Sequence, residues 1–265
     1  MSVQTYADGC LRVDMGRVTV VELNAPSRKN AINRAMWAAL PDICAAIARD
    51  DGVRAVILRG AAGPGGPVFS AGADIGEFAV VYATPESTAA YNALVRAAQA
   101  ALRDLPRPVI AEVAGPCVGG GCGLALSCDL RFSSDAAVFG ITPARLGIGY
   151  SVEDTAALVE KVGPARAKDM LFSGRLLPAV EAHAVGLVDR VLAPQALGAA
   201  TADYVAHLAG LSPQSIQVAK AVINRLVVPE GADMAALRAR VAATFSGTDF
   251  EEGRAAFLAR RPPRF

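Results

Sequence analysis

The stretch Gly115-Pro-Cys-Val-Gly-Gly-Gly-Cys-Gly-Leu-Ala-Leu-Ser-Cys-Asp129, GPCVGGGCGLALSCD, follows a strand-like run, PVIAEVAG, and opens into an apolar run able to start a helix. Four of the five residues from Gly119 to Gly123 lack a side chain. Glycine loses more freedom on folding than any other residue, so a cluster at a strand-to-helix junction points to sharp backbone geometry or to close approach by a ligand. A second segment of the same kind, GAAGPGGPVFSAGADIGEF, also sits directly after a strand-like run.

Working outward, the first half alternates period-two and helical patterns. GRVTVVEL precedes a helix expected over 32–49, VRAVILRG precedes a helix expected from about 87 to 105, and PVIAEV leads into the glycines. This is an α/β pattern. After DLRFSS and AVFGI the remainder is mostly helical, broken by GLVDRVL, with Gly-Pro ahead of one helix at 163–164 and further amphipathic stretches in LSPQSIQVAKAVINRL and GADMAALRARVAATF. The expected division is a core over 1–195 and a helical region over 196–265.

The bulk properties remove several function classes. With 26 Lys+Arg against 25 Asp+Glu, no net charge advertises nucleic acid or an anionic membrane. The uncharged or weakly charged run around the glycines is too short and too Gly-rich for a membrane span, and the N-terminus has no secretory or transit pattern, so the expected location is cytoplasmic. Cys10, Cys44, Cys117, Cys122 and Cys128 are odd in number without a Cys-x-x-Cys pair, which reads as reduced thiols in apolar company. His183 and His207, the two histidines, lie on helical apolar patterns where packing is the simpler role, which disfavours a His-dependent triad or zinc site.

The glycine segments fit none of the standard phosphate loops. There is no Gly-Lys-Ser/Thr, Leu124 and Leu126 spoil a Gly-x-Gly-x-x-Gly, and no Gly-x-Ser-x-Gly elbow occurs. Two readings remain: tight turns for packing, or two post-strand loops whose N–H groups converge on one oxygen. Five segments then carry a resemblance: SRKNAIN (27–33), FSAGADI (69–75), GPCVGGGCGLALSCDLRFSS (115–134), FGITPARLGI (139–148) and GLVDRV (186–191). In this order they resemble the enoyl-CoA hydratase/isomerase (crotonase) superfamily over nearly the whole chain. The resemblance implies an α/β crotonase-like fold with a superhelical core of repeated ββα units. A C-terminal helical region would make trimer contacts, giving a homotrimer or dimer of trimers. It implies an acyl-CoA thioester substrate, coenzyme A entering only as part of that substrate with no separate cofactor or metal, and an oxyanion hole made by the N–H groups of Ala73 and Gly120. Preorganised donors of this kind stabilise an enolate-like anion by ~3–4 kcal/mol each.

The resemblance also exposes a departure. The two glutamates that handle water in the family's hydratases correspond to Gly123 and Pro143, so the usual acid/base pair is absent. The nearest candidates are Tyr150, Ser151, Glu153 and Asp154 in GIGYSVEDTAAL; Tyr150 and Glu153 are the catalytic candidates, although Ser151 and Asp154 also spell a plain helix cap. Arg28, Lys29, Ala71, Asp74, Ile75 and Phe257 are candidates for holding the CoA thioester, Asp74 chiefly by shaping its turn. Arg260 and Arg261 could assist from the basic tail. Three functions compete: a lyase or isomerase acting through a stabilised enolate, a malonyl-type acyl-CoA decarboxylase, and a non-catalytic acyl-CoA binder.

Overall fold

The computed structural model describes residues 3–226 and 234–264. Strands β1 (Val3–Tyr6), β2 (Leu11–Asp14) and β3 (Val18–Leu23) form an antiparallel meander, and β4 (Ala55–Gly60) and β5 (Val109–Val113) extend the sheet in parallel beside β3. A two-residue strand β6 (Cys117–Val118) is followed by β7 (Leu130–Ser134), β8 (Val138–Gly140), β9 (Leu176–Pro178) and β10 (Arg190–Leu192). From β3 onward the main sheet is parallel, in the order β1-β2-β3-β4-β5-β7-β10, and β6-β8-β9 form a smaller sheet beside it.

Strand periodicity divides the core. Val56, Leu58, Val109 and Ala111 face the packed pair α1 (Arg34–Arg49) and, after the single turn α2 (Phe78–Val81), α3 (Pro85–Arg103). Asn33 caps α1 by accepting from the Met36 N–H, and Met36, Leu40, Ile43 and Ile47 make its buried stripe. The alternate residues Ala55, Ile57, Ile110 and Phe132 face the other way. There they meet Leu197 and Val205 of α7 (Pro194–Ala209), which follows α4 (Gly120–Leu126), α5 (Val152–Ser173) and α6 (Ala179–Ala184). A sheet of parallel strands needs both faces covered, so α7 belongs to the core, and the division expected at residue 196 falls inside this helix.

The helices expected over 32–49 and from about 87 to 105 are α1 and α3, shifted by about one turn at most. The N-terminal hairpin β1–β2 was not expected; its turn uses Ala7, Asp8 and Gly9, all at positive φ. Within α5 the helix kinks at Gly163, ahead of Pro164. The C-terminal helices α8 (Pro213–Leu226), α9 (Met234–Thr244) and α10 (Thr248–Leu258) complete the chain. Lys220 on α8 is pinned to Asp129 at 2.8 Å, while Phe245 and Phe250 bring α9 and α10 back over Phe78 and Tyr82. Among the described residues no helix is long and apolar enough to cross a membrane.

Candidate active site

Two loops meet at the end of the parallel sheet. The chain after β4 runs alongside β6: Ser70 N–H donates to Pro116 O, and Val118 N–H donates to Ser70 O at 2.9 Å. The buried Ser70 hydroxyl donates to Asn30 O and accepts the Gly72 N–H, fixing the turn. On Ala73's other side, Ile32 N–H donates to Gly72 O (2.7 Å) and Asp74 N–H donates to Ile32 O (2.9 Å). Because N–H groups alternate along an extended chain, Ala73 points its own away from Ile32, and it donates to no group among the described residues.

On the second loop, Gly119 turns the chain at φ 54°, a conformation that L side chains disfavour, and Gly120 opens α4. At a helix start the first N–H groups have no acceptor one turn back, so Gly120 N–H is also unpaired among the described residues. The loops touch closely: a Cβ on Gly72 would lie 3.3 Å from Gly120 N, and one on Gly120 would lie 3.3 Å from both Ala73 N and the Trp37 ring. Gly121 is tighter still, since a Cβ there would stand 2.6 Å from that of Ser70. The two N–H groups named from the sequence are therefore side by side.

They sit on the floor of a cavity of about 390 Å³. Its walls are largely apolar, with Trp37, Phe78, Tyr82, Tyr91, Val95, Leu146, Ile148 and Phe245 prominent. Trp37 donates its indole N–H to the Tyr91 hydroxyl at 3.1 Å, and burial pushes the Tyr82 and Tyr91 phenols well above their ordinary range, so both are neutral hydrogen-bonding groups. Tyr82 stacks on Phe245 with centroids 4.3 Å apart, and beyond this pair opens a second cavity of about 420 Å³ between α2–α3 and α9–α10.

Pro143 lines the first cavity and brings no proton-handling group. Tyr150 lines it too, its hydroxyl 3.4 Å from Gly119 O, and burial, then the neighbouring Asp154 carboxylate, hold its phenol well above its usual range. Glu153 reaches the rim, where it accepts from Arg238 on α9 at 2.6 Å. Ser151 caps α5 as its spelling implies, accepting the Asp154 N–H at 2.9 Å. The Asp154 carboxylate turns inward instead of to solvent. It is 6 % exposed, accepts from Gln99 Nε2 and Ser151 Oγ at 2.8 Å each, and lines the cavity. Burial is the main cause that raises its pKa to about 6.

The remaining candidates are spread more widely. Ala71, Ala73 and Ile75 line the cavity. Asp74 accepts from Gly76 N–H and pairs with Arg28 at 2.7 Å, contacts that hold the turn after Ala73. Arg28 and Lys29 are exposed; Lys29, at φ 53°, supports the loop by its carbonyl, which accepts the Ala71 N–H. Phe257 is exposed and outside the cavity of its own chain, and Arg261 is paired with Glu252. Both histidines are exposed and line neither cavity. Cys44, Cys117, Cys122 and Cys128 are buried free thiols, with burial pushing Cys44 and Cys128 up to about 12. Among the described residues no cluster of three His, Cys, Asp or Glu could hold a metal.

Two peptide donors unpaired among the described residues thus lie over a largely apolar cavity, carried by loops that each follow a strand. The chain belongs to the enoyl-CoA hydratase/isomerase family, whose model matches residues 14–265. A Thermus thermophilus protein named for enoyl-CoA hydratase activity is 37% identical over 261 residues, covering 96% of this chain and 100% of its own. The mitochondrial methylglutaconyl-CoA hydratase of Rattus norvegicus is 33% identical over 94% of this chain and 79% of its own. Among solved structures, an enoyl-CoA hydratase/carnithine racemase from Magnetospirillum magneticum superposes with TM-score 0.80 at 36% identity, covering 98% and 96% of the two chains. A methylmalonyl-CoA decarboxylase complexed with 2S-carboxypropyl CoA reaches TM-score 0.86 at 27% identity, covering 100% and 99%. The crotonase-like α/β fold expected from the five segments is thereby established, and with it an enzyme family that acts on acyl-CoA.

Proposed function

We propose that the cavity binds a CoA thioester with its carbonyl oxygen between the N–H groups of Ala73 and Gly120, and that the reaction passes through the enolate these donors stabilise. The observation that carries this reading is the pair of adjacent, unpaired N–H groups on the floor of an apolar cavity. Syn addition of water needs two groups, one to activate water and one to serve the α-carbon. With Gly123 and Pro143 carrying none, and Glu153 committed to Arg238, ordinary hydration is disfavoured. Loss of CO2 from a malonyl-type thioester needs no base, because breaking the C–C bond itself leaves the electron pair on the enolate. Tyr150 beside Gly119, and the likeness to a methylmalonyl-CoA decarboxylase, favour this reaction.

The exposed apolar face of α8, with Val218, Val222, Ile223 and Leu226, supports assembly with further copies, for which the homotrimer is our reading. The functional test is incubation with enoyl-, dienoyl- and malonyl-type CoA esters, with products followed by mass spectrometry. A mass loss of one CO2 from a malonyl-type ester, with crotonyl-CoA hydrated at least ~100-fold more slowly than by a two-carboxylate enzyme, is expected. Rapid crotonyl-CoA hydration would refute the reading.

A further inference from the structure

The side chain that Gly123 lacks leaves a space, and another part of the chain has filled it. A Cβ on Gly123 would stand 2.6 Å from Asp154 Oδ1 and 2.6 Å from Gln99 Nε2. The carboxyl of α5 and the amide of α3 thus occupy the flank of the first turn of α4, the turn that Gly120 begins. A capping acid has no need of such a position: Glu153, its neighbour in the same first turn, stays at the rim and pairs with a cation.

Resting on the acyl-CoA reading above, we propose that Asp154 is the catalytic acid/base of this site, exchanging a proton with the α-carbon of the thioester from the space left by Gly123. The neighbours suit a group that must exist in two protonation states. Its side-chain partners, Gln99 and Ser151, are neutral, and a hydroxyl can donate to a carboxylate or accept from a carboxylic acid. The ionisable groups that act on it are Tyr150, in the loop before α5, and Glu153, engaged with Arg238 of α9; Arg96 of α3 lines the same cavity, and Cys122 of α4 lies next to Gly123 in the chain. Among the described residues no cation hydrogen-bonds to Asp154, and the Gln99 and Ser151 bonds that favour the carboxylate are outweighed by burial. Burial brings its pKa to about 6, and a substrate carboxylate in the cavity would push it further up, towards the acid form.

The step balances. As the bond from the α-carbon to the departing carboxylate breaks, CO2 leaves and the electron pair passes into the enolate, whose oxygen accepts from Ala73 and Gly120. The α-carbon then takes the proton of the Asp154 carboxyl. Asp154 is left as carboxylate, and a solvent proton restores it. Run on a thioester without a second carboxylate, the same geometry removes an α-proton and returns one from the medium.

The experiment is α-deuterium wash-in to propionyl-CoA in D2O, followed by mass spectrometry, with binding measured separately by calorimetry. The parent is expected to exchange, its rate rising as pH passes through about 6, because the carboxylate form removes the proton. Asp154→Asn should lose ~100-fold or more of this rate while propionyl-CoA affinity stays within a few-fold. Tyr150→Phe run in parallel separates the phenol from the carboxyl. Binding without exchange by the parent, exchange unchanged in Asp154→Asn, or a profile flat across pH 5–8 in the parent overturns the assignment, and the last needs no variant to fold. If the parent does not bind propionyl-CoA at all, the acyl-CoA reading falls and takes the assignment with it.

Discussion

Asp154→Asn makes a second, purely thermodynamic statement. An acid whose pKa is raised in the folded protein costs stability wherever it is ionised. The unfolded group titrates near 3.8 and the folded one near 6, a difference of about 2 units, or ~3 kcal/mol. Below about pH 4 both states are protonated and no penalty exists. As pH rises from there the unfolded state releases its proton first, so the parent loses stability until the folded group also ionises, and the loss is complete above about pH 7. Asparagine has no such titration. Its amide can accept from Ser151 and donate to Gln99 once the Gln99 amide flips, keeping both hydrogen bonds. The variant gives up the attraction of a charge for the helix start, roughly 0.5 kcal/mol. At pH 8 it should therefore be more stable than the parent by ~2–3 kcal/mol, raising Tm by roughly 5–10 °C, with the gap closing towards pH 4. Thermal unfolding of both proteins from pH 4 to pH 8 measures this directly. A variant less stable than the parent at pH 8, or a gap independent of pH, would show that the carboxylate is stabilised in its ionised form and would refute the reasoning.

Gly120→Val should abolish turnover and weaken acyl-CoA binding while far-UV circular dichroism stays unchanged, because even the first carbon of a side chain would stand 3.3 Å from Ala73 N and the Trp37 ring. Gly121→Ala should act through the fold instead: its methyl would lie 2.6 Å from Ser70 Cβ and 2.9 Å from Ser70 O, an overpacking cost of about 1–3 kcal/mol readable by urea unfolding. Tyr82→Ala should join the cavities of about 390 and 420 Å³, and kcat/KM measured over a series of acyl lengths should shift towards longer chains.

The sequence carried the loops better than the acid/base group, for a physical reason. A backbone-exposing loop is announced locally: four glycines after one strand, and a Gly/Pro-rich run ending in FSAGAD after another, mark both loops, while the resemblance carried by the five segments is what singles out Ala73 and Gly120. Strand and helix periods likewise placed α1, α3 and the parallel strands. The hairpin β1–β2 was spelled by Asp8-Gly9, a turn dipeptide, but its strands are only four residues each and β1 is largely exposed, so no alternating apolar pattern marks it. Ser151 was legible as the cap of α5, which it is, with Asp154 in the first turn; the insertion of the Asp154 carboxylate against Gly123 depends on how α5 packs on α4 and α3. The absence of a side chain at Gly123 was visible, whereas the group that fills the gap was not. Glu153 is a catalytic candidate by sequence, and its partner Arg238 arrives from a helix 85 residues away.

The donors of this site are peptide groups, and that has a consequence for how its chemistry can change. An N–H of the main chain cannot be deleted by replacing one amino acid with another, proline excepted, so donors proposed to hold the carbonyl oxygen would be sheltered from most single substitutions. The proton-handling side chain has no such shelter. If the proposed roles hold, the reaction of such a scaffold would be altered by moving one carboxyl from one helix to its neighbour, from the position of Gly123 to that of Asp154, while the grip on the thioester is inherited intact.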